Sequence, residues 1–138
     1  MRHTRPFVLA TLLTLGASGL GAQALHVAIE VKPGDAGPKT LEPGRDGMVP
    51  MAILTTPTFD AASVDAESVY LGPTGTEAMV FRSMLEDVDR DGDVDRLLLV
   101  RVRDLRLECT VTALRLNGKT VSGQDIEGTA PVDMEGCP

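Results

Sequence analysis

The chain has no Trp, one Tyr and three Phe, so aromatics make up only 3% of its 138 residues. A flat platform for stacking sugars or bases cannot be assembled from so few rings. Basic residues are also scarce: 13 Lys and Arg stand against 20 Asp and Glu, a net charge of -7. Such a surface repels phosphate backbones and anionic membranes, so no nucleic-acid partner is expected. Two Cys and two His exclude a zinc cage of four cysteines. A cage of two cysteines and two histidines is excluded as well once His3 is assigned to a leader. The length suits one domain with one core.

Arg2, His3 and Arg5 precede the uncharged run from Phe7 to Leu15, and small residues lead to Ala22-Gln23-Ala24. This is the pattern of a secretory signal cut after Ala24, giving residues 1–24 as signal peptide and 25–138 as one mature domain. Gly16, Ser18, Gly19 and Gly21 make the stretch a poor membrane span. Loss of Arg2 and Arg5 leaves 11 basic against 20 acidic side chains, a net charge of -9. No Cys for lipidation follows the cut and no apolar tail closes the chain, so a secreted or periplasmic protein without membrane attachment is expected. In an oxidising compartment Cys109 and Cys137 read as one structural disulfide, since they lack the C-x-x-C spacing of a redox pair.

Leu25, Val27, Ile29 and Val31 alternate with polar or small residues, which predicts a half-buried strand ending at Pro33-Gly34. A long connection to Gly47 follows, with a short strand around Thr40-Leu41. Met48 to Thr55 is the next strand, and Pro50 places it at an edge or at a strand start. Asp60 to Glu67 has helical-turn character, before a short strand from Ser68 to Leu71. Ala78 to Arg82 and Arg96 to Arg103 read as strands. Thr110 to Leu116 alternates up to Asn117-Gly118, a dipeptide suited to a tight hairpin turn. Short strands, frequent turns and no helical period predict an all-β fold, an antiparallel, immunoglobulin-like β-sandwich. The methionines, Phe59 and Phe81 are assigned to the core.

Between two of these strands lies Asp87-Val88-Asp89-Arg90-Asp91-Gly92-Asp93-Val94-Asp95. Asp occupies alternate positions 1, 3, 5, 7 and 9, with Gly at position 6. In a calcium loop positions 1, 3 and 5 aim carboxylates at a hard cation, Gly permits the turn, position 7 offers its carbonyl, and position 9 ligates directly or through water. Position 12 is Leu98 rather than a bidentate Glu, so the loop is EF-like and set between strands. The plainer alternative is a solvated acidic turn. Against it, carboxylates about 5 Å apart repel by roughly 3 kcal/mol per pair at an effective dielectric near 20. Asp87, Asp89, Asp91, Asp93 and Asp95 are therefore the expected metal residues, and Ca2+ the expected ion, because Mg2+ demands a smaller octahedron and keeps its waters.

Val31-Lys32-Pro33-Gly34, Val49-Pro50-Met51-Ala52-Ile53-Leu54, Leu85-Glu86-Asp87-Val88 running into Asp91-Gly92, and Gly136-Cys137 together resemble a secreted bacterial β domain of unassigned function. That domain often reads I-K-P-G, V-P-V-A-I-L and L-E-D-V-N-x-D-G-x-x-D. The resemblance spans nearly all of residues 25–138 and implies an exported β domain, with Asp87, Asp89, Asp91 and Asp95 as ligands. Asp89 stands where Asn is commoner, and Arg103 to Glu108 is more basic than the pattern. The resemblance implies no activity.

An enzyme is not expected. After cleavage His26 is the sole imidazole, on the outward face of the first strand, and no base, nucleophile or aromatic subsite accompanies it. The leading expectation is a non-catalytic calcium-binding module with a structural or interaction role, meeting an extracellular protein or a surface polymer. The runner-up is a secreted hydrolase or inhibitor with a carboxylate site.

Overall fold

Apolar residues at alternate positions supply two sheets whose inner faces meet in one core. The computed structural model describes residues 23–138, so all but Gln23 and Ala24 of the expected signal peptide lies outside the described residues. Eleven strands follow in order: β1 (Leu25–His26), β2 (Ile29–Val31), β3 (Thr40–Leu41), β4 (Met48–Ile53), β5 (Val64–Gly72), β6 (Ala78–Met79), β7 (Arg82–Glu86), β8 (Asp95–Arg101), β9 (Ala113–Thr120), β10 (Asp125–Pro131) and β11 (Asp133–Met134). One sheet runs β1-β10-β9-β5-β6 and the other β2-β4-β8-β7, with β11-β3 as a small third pair. Pairing is antiparallel except for β1 with β10 and β11 with β3. Val69, Leu71, Leu114, Leu116 and Ile126 from the first sheet are buried together with Val31, Val49, Met51, Ile53, Leu98 and Val100 from the second. The β-sandwich expected from the pattern is thus the observed fold.

Several local expectations are corrected. The single strand from Leu25 to Val31 is two, because the chain crosses between sheets at Val27-Ala28. Val27 N–H still donates to Glu127 O (2.8 Å), whereas Ala28 O accepts from Leu54 N–H (2.9 Å). A Cβ on Gly128 would stand 2.9 Å from Ile29 Cγ2 and 3.0 Å from Val27 O, so glycine makes room for that crossing. The stretch from Ala78 to Arg82 divides in the same way, β6 pairing with β5 and β7 with β8.

Strand β4 is interior rather than an edge, despite Pro50. Lys32 N–H donates to Pro50 O (2.8 Å), and the return bond that proline cannot give would have gone to Lys32 O. That carbonyl is satisfied instead by Lys39 Nζ (2.8 Å) and Asp35 N–H (3.2 Å), as the chain turns away at Lys32 with φ 48°.

The helical turn expected over Asp60 to Glu67 shrinks to a 3₁₀ turn at Ala61–Ser63, capped by Asp60, and β5 starts at Val64. Asn117-Gly118 is no turn but lies inside β9. The register of β5 against β9 slips between Asp65 and Tyr70, and a Cβ on Gly118 would stand 2.9 Å from Val69 Cγ2. Glycine there tolerates the bulged neighbour; the hairpin bends later, where Gly123 has φ 91°. Met51 and Phe59 are core residues, but Met79, Phe81 and Met84 are exposed, because β6, β7 and the link between them lie at the sandwich edge, and Met48 is exposed at the start of β4. Phe81 lies under the Arg101 guanidinium, 4.6 Å from its ring centre.

Cys109 and Cys137 are joined as expected. No helix among the described residues is long and apolar enough to cross a membrane.

Candidate metal centre

The acidic loop is the connection between the antiparallel neighbours β7 and β8, so its two ends start side by side at the paired Glu86 and Asp95. Asp95 opens β8 and is fully buried. Its Oδ1 accepts Thr55 N–H (2.8 Å) and its Oδ2 accepts Val88 N–H (3.0 Å), so one carboxylate pins the loop entrance to the end of β4. Thr55 holds the exit as well: its hydroxyl donates to Val94 O (2.6 Å) and accepts from Ala61 N–H (2.9 Å).

Within the loop Asp87 acts as a cap, Oδ1 accepting Asp91 N–H (3.2 Å) and Oδ2 accepting Gly92 N–H (3.0 Å). Asp89 Oδ1 also faces Asp91 N–H (3.4 Å), and Asp91 Oδ1 accepts Asp93 N–H (2.9 Å). The turn is tight because Arg90 and Gly92 both have left-handed backbones, φ 56° and 93°. For Gly92 the cost of a side chain would come from that backbone alone, since a Cβ there meets no atom within 4 Å.

Asp87, Asp89, Asp91 and Asp95 each bring one carboxylate oxygen into a group spanning no more than 4.8 Å, close enough to hold a metal ion. The Asp93 side chain is exposed and outside this group. Leu98, at position 12, is fully buried in the core, so the loop has no bidentate closing acid. Sequence reasoning missed Thr55, which lies 40 residues from Asp95 and carries no spacing signal.

Crowding leaves its mark on proton affinity. Loss of hydration, then side-chain hydrogen bonding to Asp91 and the charge of Asp95, push the Asp89 carboxyl from 3.8 up to about 6. Loss of hydration also works to raise Asp87, but N–H donation by Gly92 and its other hydrogen-bond partners outweigh it, and the net shift is downward. Because Asp89 holds its proton more tightly folded than unfolded, its contribution to metal-free stability is full below about pH 4 and lost as pH rises through about 6. A cation held by Asp89 would have to displace that proton. Divalent-ion affinity should therefore fall roughly tenfold between pH 7 and pH 5, read by calorimetric titration at both; equal affinities would mean that Asp89 does not ligate.

The sole imidazole of the described residues, His26, is 85% exposed and lies 3.2 Å from Glu127 at the far sheet edge. No protein-family model matches the chain, and no curated protein matches it.

Proposed function

We propose that this is an exported calcium-binding, non-catalytic β-sandwich module with a structural or interaction role in the periplasm or at the cell exterior. The observation that carries the reading is the convergence of oxygens from Asp87, Asp89, Asp91 and Asp95, one of them buried and anchored. Two oxygens on opposite sides of Ca2+ stand about 4.8 Å apart, while a Mg2+ sphere closes to about 4.2 Å. The four oxygens lie within the diameter of a calcium sphere, and the choice of Ca2+ rests on a flexible all-oxygen loop, since Mg2+ keeps its waters. The disulfide supports an oxidising compartment. The ion's role is to neutralise and order the loop at the end of the sandwich.

Lack of a position-12 acid points to an affinity on the order of 0.1 mM. At about 1 mM calcium, mass action then gives roughly 1.4 kcal/mol of stabilisation, and a melting transition raised by about 5 °C over chelator. Asp87→Ala and Asp91→Ala should each abolish that shift. In chelator they should lose no more than about 1 kcal/mol, because relief of carboxylate repulsion offsets the exposed main-chain bonds that Asp87 and Asp91 accept. Absence of saturable binding in calorimetry, with equal melting in calcium and chelator, would defeat the reading.

A further inference from the structure

We propose that two copies of this chain pair through β7, antiparallel across a two-fold axis centred on Met84, to make one continuous eight-stranded sheet. Strand β7 ends its sheet and has no partner on its outer side among the described residues. Four of its five residues are exposed, including Met84 and Leu85. An open edge of this kind usually carries a bulge, a proline or a lysine against self-association, and Arg82-Ser83-Met84-Leu85-Glu86 has no proline or lysine.

Main-chain alternation shows which groups are free. The Lys32 to Pro50 bond aims Pro50, and hence Ala52, at β2, so Val49, Met51 and Ile53 bond to Val100, Leu98 and Arg96. Leu97 and Leu99 then face β7, in accord with the bond from Phe81 N–H to Leu99 O (2.8 Å). Met84, opposite Leu97, turns its main-chain groups inward, and Ser83 and Leu85 direct theirs to the open edge. A twin strand centred on Met84 sets Ser83 against Leu85 on both sides of the axis, and each such pair exchanges two hydrogen bonds.

The side chains select this occupant. In the same register Arg82 lies opposite the twin's Glu86, twice by symmetry, and Met84 lies opposite itself. Arg82 and Met84 project from the outer face, because their neighbours Leu99 and Leu97 alternate with the buried Leu98; Glu86, two residues on, shares that face by alternation and is exposed, although its neighbour Asp95 is buried by its bonds to Thr55 and Val88. The strand is complementary to its own reverse in charge and in apolarity, as an isologous contact requires. The inference is independent of the metal reading, since none of these pairs uses a loop aspartate.

Sedimentation velocity on the purified full chain, as processed by the expressing cell, should show a monomer–dimer equilibrium between about 1 and 500 µM, the regime of a small interface. R82E and E86R should each weaken it about tenfold or more by setting like charges opposite, and the double reversal R82E/E86R should restore it. Under mild oxidation M84C should form a covalent dimer, because a non-bonded antiparallel pair stands about 4.5 Å apart at Cα, within disulfide reach. V121C, at a residue 77% exposed on the distant β9–β10 hairpin, should not. The dimer should persist in chelator, and the R82E monomer should still bind calcium, so each reading fails or stands alone. A chain monomeric throughout the range, a dimer indifferent to both single reversals, or M84C linking no faster than V121C overturns the proposal.

Discussion

Asp95→Ala should lower the unfolding free energy by about 2–4 kcal/mol even in chelator, because it strips the acceptor from two main-chain donors, Thr55 N–H and Val88 N–H. The loss has nothing to do with a cation. It arises from a carboxylate that is buried, bonded through both oxygens and placed where β4, β8 and the loop entrance meet. Asp95→Asn should recover part of it, since an amide oxygen still accepts one of the two bonds while its NH₂ faces the other donor. Urea unfolding of both variants beside Asp87→Ala separates anchor from ligand. If Asp95→Ala were as stable in chelator as Asp87→Ala, the anchoring account would have to be abandoned.

Joint replacement of Cys109 and Cys137 by serine should cost about 3–4 kcal/mol, from the entropy an unfolded chain regains when a loop of this length is opened. The bond ties down a tail with little else to hold it. Strand β11 pairs with β3 over two residues, and Glu135 N–H reaches Leu41 O (2.9 Å). Denaturant titration of the serine pair, and of the parent with and without reductant, should give matching losses. A loss under about 1 kcal/mol would mean that the strands alone fix the tail.

The acidic loop was legible because most of its chemistry is local: alternate aspartates around one glycine fold back on one another, although Asp95 is fixed by Thr55 and the start of β8. Sandwich architecture was legible from period-two runs and the absence of helical ones. What could not be read was sheet membership. Alternation in Leu25 to Val31 continues through Val27-Ala28 although the chain changes sheet there, because Val27, Ile29 and Val31 turn to the same core on both sides of the crossing, while Leu25 is exposed. Asn117-Gly118 misled for a related reason: local turn chemistry cannot register a bulge in β5, a strand distant in sequence, against which only glycine fits. Pro50 was misplaced because the side chain that serves the orphaned carbonyl, Lys39, lies beyond a loop. Exposure of Met84 and Phe81 follows from β7 ending its sheet, a fact of topology rather than composition.

The Cys109–Cys137 bond also sets how the chain carries a pull. Tension applied beyond Cys137 passes straight across the disulfide to Cys109, so the 28-residue separation between them is shielded from load. That shielded length contains β9, β10 and β11, including the partner strand of β1. About 95 Å of extensible backbone is therefore withheld until a covalent bond is reduced. Under tension the stretchable part of the domain runs only from its first strand to Cys109, and reductant converts the rest from a fixed block into slack.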